Sequence, residues 1–127
     1  MPTELNPARF ELPPIEGWIA GDSRQLNFTV TLPDGSNKDI SNDEVRWYLL
    51  DKPYVSPSEA TLSGDDSGVE IITDTLVDPT NGEFRVDVSE SATSGEWGDY
   101  WQVVVVDPLD DSLQSWQGKV LLTDAGD

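Results

Sequence analysis

Apolar side chains recur at every second position in a series of short runs, and this period of two restricts the chain to β-structure. Leu26, Phe28 and Val30 alternate with Asn27, Thr29 and Thr31, and Val45, Trp47 and Leu49 alternate with Arg46 and Tyr48. Each run has one apolar and one polar face, as a half-buried strand requires. Further strands are predicted at Val69 to Ile72, at Phe84, Val86 and Val88, at Tyr100 to Val106 and from Trp116 to Leu122. Ala60-Thr61-Leu62, inside the Ser-, Pro- and Asp-rich stretch from Tyr54 to Gly68, reads as a short edge strand. Turn-forming segments separate the runs: Pro33-Asp34-Gly35-Ser36, Asp78-Pro79-Thr80-Asn81-Gly82 and the acidic stretch from Asp107 to Ser112. The polar connection from Ser89 to Gly98 has room for one helical turn.

Tyr100 to Val106 is apolar or aromatic on both faces apart from Gln102, which predicts the most buried strand. About seven short strands with turns every 8–12 residues predict an all-β fold, an immunoglobulin-like antiparallel β-sandwich. It would span residues 18–123, followed by a C-terminal tail at 124–127. Residues 1–17 contain Pro2, Pro7, Pro13 and Pro14 and read as an extended N-terminal arm, because proline fixes φ and removes a ladder donor. Such an arm either wraps its own domain or reaches a neighbour; pinned in an assembly it would offer a neighbouring subunit Phe10, Leu12 and Ile15, with Trp18 closing the sandwich end or fixing the arm's exit. On that reading, removing residues 1–16 leaves a folded monomer that no longer assembles. The chain has no cysteine, so the sandwich must hold by packing alone.

Charge sets the solvent in which such a sandwich can stay folded. Sixteen aspartates and nine glutamates face seven basic residues, giving a formal net charge of −18 without any histidine. For a ball of radius roughly 18 Å, the Coulomb self-energy is about 35 kcal/mol unscreened, about 10 at physiological ionic strength and about 5 in molar salt. The salt-dependent part rivals the ~5–15 kcal/mol stability of an ordinary domain. The acids are spread along the chain and lysine occurs only at positions 38, 52 and 119, a composition expected of a protein working in concentrated salt. Two other readings of the acidity are ordinary solubility and mimicry of nucleic-acid phosphates.

Few residues can carry chemistry. Without histidine or cysteine, and with no nucleophile elbow, zinc motif or phosphate loop, no catalytic residue or cofactor site is expected, and the chain reads as a non-enzyme. Calcium has weak candidates in Asp65-Asp66 and in Asp107, Asp110 and Asp111, whose short spacings calcium accepts. Aspartates that begin turns and face solvent are the favoured reading of them. Asn27-Phe28-Thr29 is a glycosylation sequon in mid-strand, where acceptors are poor. Trp97 and Trp101 bracket Gly98 to Tyr100 and could dock a protein or a sugar, whereas Trp47 is in phase with the core. Arg9, Arg24, Arg46 and Arg85 are scattered, so no nucleic-acid partner is expected. No run approaches the ~20 apolar residues of a membrane helix, and the opening residues show no secretory signal, so a soluble chain is expected.

A longer pattern joins these segments. Gly21-Asp22-Ser23 leads into Leu26-Asn27-Phe28-Thr29-Val30, then Pro33-Asp34-Gly35, Asp39-Ile40-Ser41 and Val45-Arg46-Trp47-Tyr48-Leu49. Gly68-Val69-Glu70-Ile71, Gly82-Glu83-Phe84-Arg85-Val86, Gly98-Asp99-Tyr100-Trp101, Val104-Val105-Val106-Asp107 and Gly118-Lys119-Val120 follow. In order and spacing, residues 21 to 123 resemble the small immunoglobulin-like structural domain of tailed phages and archaeal tailed viruses, also found at the start of upper baseplate proteins. The arm and the acid-rich loops depart from that pattern. The resemblance implies a virion structural protein, here of a haloarchaeal tailed virus, placed on the capsid surface, at the head–tail junction or in the tail. Its partners would be other virion proteins in a symmetric assembly, and its setting the virion in high salt. The alternative is a soluble binding module, either a carbohydrate-binding domain or an acidic inhibitor that mimics DNA.

Overall fold

The computed structural model describes residues 3–52, 60–64, 66–73, 77–93, 98–109 and 112–123. Among these the strands are β1 (Thr3–Leu5), β2 (Ile15–Ile19), β3 (Arg24–Val30), β4 (Glu44–Leu50), β5 (Leu62–Ser63), β6 (Val69–Ile72), β7 (Glu83–Val88), β8 (Gly98–Asp107) and β9 (Gln114–Thr123). One helical turn, α1 (Glu90–Thr93), lies in the polar connection where it was expected. Two sheets face each other, one of four strands in the order β1-β3-β7-β6 and one of five in the order β2-β9-β8-β4-β5. The alternating runs became β3, β4, β6, β7, β8 and β9, and the short edge strand is β5. The all-β sandwich predicted from period and turns is therefore present. β8 takes the middle of the larger sheet, as its run of apolar residues requires.

The inward set on each strand meets its counterpart across the core. Phe28 and Phe84 are register partners on β3 and β7, and their rings stack with centroids 5.0 Å apart. Trp18, Trp47 and Trp116 come from the opposite sheet and are at most 2% exposed. A buried indole N–H must find an acceptor. Trp47 Nε1 donates to Gln102 Oε1 at 3.1 Å, Trp116 Nε1 to the Asn6 carbonyl at 3.0 Å and Trp18 Nε1 to the Asp22 carbonyl at 3.3 Å. Gln102, the one polar residue in the apolar run of β8, is thus the partner of the central tryptophan. Where a sandwich of this class can carry a disulfide beside that tryptophan, this chain uses a hydrogen bond.

The N-terminal segment corrects the expected arm. β1 pairs parallel with β3 (Thr3 opposite Phe28, Leu5 opposite Val30), and β2 pairs parallel with β9 (Ile15 opposite Val120, Ile19 opposite Thr123). The segment is thereby divided between the two sheets of its own domain. Leu5 is fully buried, Leu12 is 6% exposed and Ile15 packs against the core. Pro7, Pro13 and Pro14 do not oppose this, because they fall between the strands and both strands are sheet edges, where proline is tolerated. Gly118 completes the fit. A Cβ at that position would lie 2.6 Å from Leu12 Cβ and 2.9 Å from the Leu12 carbonyl oxygen, so only glycine lets the segment pass this close to β9. Trp18, expected at the arm's exit, belongs to the core itself.

Candidate functional site

Strand alternation sends every second residue of the five-stranded sheet away from the core. On β8 these are Asp99, Trp101, Val103, Val105 and Asp107. Register places Trp101 between Leu50 and Lys119, Val103 between Tyr48 and Gln117, and Val105 between Arg46 and Ser115. Leu50 and Val105 are buried, while Trp101, Val103 and Tyr48 are half-buried. Toward the β2 edge the same face carries Ile19 and Leu121, 43% and 38% exposed. The outer face of this sheet is therefore apolar along most of its length.

On β4, β8 and β9 its charges are confined to the two ends. Asp99 and Lys119 pair at 3.5 Å at one end, and at the other Arg46 bridges Glu44 at 3.2 Å and Asp107 at 2.7 Å. The hydrogen bonds that Arg46 donates to Glu44, and then to Asp107, raise its pKa further and keep the guanidinium charged. Between these pairs, no charged side chain among the described residues of β4, β8 and β9 points outward. The outer face of the four-stranded sheet contrasts with this. It presents Gln25, Asn27 and Thr29 on β3, with Glu83, Arg85 and Asp87 on β7 and Glu70 on β6. Arg85 there is held by Asp87 at 2.7 Å.

At the margin of the apolar face lies a groove of about 710 Å³, between the segment Phe10–Pro14 and the outer side chains of β8 and β9. Phe10, Leu12, Trp101 and Val103 supply its apolar lining, and Glu11, Ser115, Gln117 and Lys119 its polar groups. Phe10 is 68% exposed although its carbonyl is fixed by the Gln117 N–H at 2.9 Å. Of the expected assembly contacts, the structure brings Phe10, Leu12 and Trp101 to one groove. Ile15 and Trp18 face the core instead, and Trp97 lies outside the described residues. Leu12 reaches the groove only with its margin, being otherwise buried. Tyr48, Val103, Ile19 and Leu121 were not singled out from sequence. The alternation that marked Trp47 and Leu49 as inward also marked Tyr48 as outward, but nothing local says that an outward apolar residue shares its face with residues of three other strands.

The remaining candidates resolve differently. Asp66 Oδ2 accepts the Ser63 N–H at 2.8 Å, and Asp107 Oδ1 accepts the Leu109 N–H at 2.9 Å, so both carboxylates serve turns. Asp65, Asp110 and Asp111 lie outside the described residues. Among the described residues no group of three or more acidic side chains is placed to hold a metal ion. Arg9, Lys38, Arg46, Arg85 and Lys119 each face a carboxylate, and Arg24 lies 5.6 Å from the Trp18 ring. They form no basic surface of the kind a phosphate backbone needs. Asn27 is exposed on the polar outer face, as the alternation predicted.

No protein-family model matches the sequence, and a comparison with curated proteins gave no significant match. Among solved structures, the chain is similar to the N-terminal Ig1-2 module of the Drosophila receptor protein tyrosine phosphatase DLAR. That likeness has a TM-score of 0.53 and 10% identity, over 90% of this chain and 47% of that one. The chain therefore spans about half the length of that module. It is also similar to the NK cell receptor NKp44, with a TM-score of 0.49, 15% identity and coverage of 97% and 99% of the two chains. Sheet order and the DLAR likeness together define the class of fold: an immunoglobulin-like β-sandwich.

Proposed function

We propose that this chain is a virion structural protein of a haloarchaeal tailed virus. It is a non-enzymatic assembly module of the capsid surface, the head–tail junction or the tail and baseplate, and it docks through the outer face of its five-stranded sheet. The observation that carries the docking role is an apolar face almost free of charge in a chain whose formal net charge is −18. Exposed apolar surface on a strongly charged protein marks a contact site, because solubility alone would replace it with polar groups. The viral setting rests on the series of motifs from Gly21 to Val120 and on the salt-adapted composition. The partners in this reading are other virion proteins in a symmetric assembly, and the location is the virion in high salt.

The test is the composition of purified particles. The chain is expected at a fixed stoichiometry to the major capsid protein. Trp101→Asp, folded by circular dichroism, should be depleted from particles about tenfold or more, as for an anchor residue in a contact patch. Asn27→Asp, which adds the same charge to the opposite face, should be incorporated normally. Absence of the wild-type chain from particles overturns the viral role, and full incorporation of Trp101→Asp overturns the docking face. A soluble carbohydrate-binding module is a second reading, favoured by the groove's combination of Trp101 and Phe10 with Ser115 and Gln117. It predicts that Trp101→Ala abolishes binding to a glycan array without altering assembly.

A further inference from the structure

We infer that the outer face of the five-stranded sheet is a homotypic interface, across which two copies of this chain pack face to face once salt has screened their repulsion. The inference rests on the proposed use of that face for docking and names its occupant. Charge selects the occupant. A basic partner would be drawn to the acid-rich loops and the four-stranded face, whereas the middle of this face offers it no charge, only an ion cluster at each end and the Glu11 carboxylate at the groove on its margin. An apolar middle with its charges paired at the ends fits a second copy of itself, and a two-fold axis through that middle lays each copy's Tyr48, Trp101 and Val103 against the partner's. Neither Asp99 nor Arg46 is then buried without a counter-charge, which removes the penalty that defeats most interfaces between acidic proteins.

Size is compatible. Seven to ten residues per strand on β4, β8 and β9, in a sheet five strands wide, make a face of about 20 by 25–30 Å, which buries about 1,000–1,200 Å² across two copies, the low end of specific interfaces. Salt becomes the switch. With a screening length of about 7–8 Å, two chains of this charge still repel at the separation of stacked sandwiches, and near 2 Å they do not. The dissociation constant is expected to fall about a hundredfold or more between 0.2 M and 3 M KCl.

Sedimentation velocity of the full chain in 0.2, 1 and 3 M KCl tests this directly. Monomer at 0.2 M and dimer at 3 M are expected, with Val103→Asp monomeric throughout and Asn27→Asp dimeric like the wild type. Because the chain has no cysteine, a second measurement does not depend on how well Val103→Asp folds. Val103→Cys should be cross-linked to dimers by a short bis-maleimide in 3 M KCl, and Asn27→Cys should not. A wild-type chain that stays monomeric at 3 M, or equal cross-linking at both positions, overturns the inference. If the wild type is monomeric at 3 M while Trp101→Asp is still lost from particles, the second copy is excluded and the docking face stands. If Trp101→Asp enters particles normally, it is the docking role that falls.

Discussion

Gln102 shows how one side chain can reconcile a polar atom with the driest part of a sandwich. At 2% exposure its amide oxygen has the Trp47 N–H as partner, and that indole is itself fully buried. Replacing Gln102 by leucine leaves the Trp47 donor in an apolar site with no acceptor, a loss of about 1–3 kcal/mol. Removing both polar groups, as Gln102→Leu with Trp47→Phe, should restore part of that loss despite the smaller ring. Chemical denaturation of the two single variants and the double variant gives the coupling energy. The carboxylates in turns act at the same scale with opposite exposure. Asp34, Asp39 and Asp78 lie below their ordinary value of 3.8, held there first by the side chains of Ser36, Ser41 and Thr80. Glu4 lies below 4.5, chiefly because the Thr31 hydroxyl donates to it.

Those lowered values fix a sign. The folded chain holds fewer protons than the unfolded chain as pH falls through the ordinary carboxylate range, so the contribution is complete above about pH 5 and lost below it. In 3 M KCl, Ser41→Ala should be less stable than the wild type at pH 7, and the difference should close as pH falls through the lowered Asp39 pKa and Asp39 protonates in both. Thermal unfolding across that pH range measures it, and a difference that persists at low pH would argue against the hydrogen bond as its source.

At the scale of elements, the N-terminal strands are where expectation and structure part. Proline content argued for an arm, and the two short edge strands β1 and β2 accommodate those prolines between them. Removing residues 1–16 would strip Leu5 and Leu12 from the core together with all of β1, the edge partner of β3, and the Ile15 end of β2. The truncated chain is therefore expected to unfold at room temperature or to lose about 4 kcal/mol or more, as two core leucine truncations would. Gly118→Ala tests the same packing with one methyl group. It should lower stability by about 1–3 kcal/mol, because the Leu12 backbone must move to admit it. The signal was present in the sequence: a glycine inside an otherwise regular strand marks a close approach. What it does not say is which segment approaches. The strands from β3 onward were legible because each carries its period, its turn residues or both within about ten neighbouring residues.

For the whole molecule, the balance between charge and burial decides conditions rather than shape. The cationic side chains at Lys38, Arg46, Arg85 and Lys119 are already engaged with carboxylates, so added salt has repulsion to screen and few favourable pairs to weaken. The unfolding temperature should rise by about 10 °C or more between 0.2 M and 3 M KCl at pH 7. The same measurement with sucrose at equal osmolality should show a smaller rise. An equal rise would assign the effect to exclusion of solute from the surface instead of to charge.

By itself the sequence determined that this chain is all-β, where most of strands β3 to β9 run and which residues of β3, β4 and β7 face inward. Each of those follows from interactions between residues a few positions apart. Only the tertiary structure decided that the N-terminal segment supplies two strands to the domain, that Gln102 satisfies Trp47, and that Tyr48, Trp101 and Val103 share one largely apolar face with Phe10 at its margin. Those facts join residues tens of positions apart. Strand order across a sheet, which creates them, leaves no period in the chain.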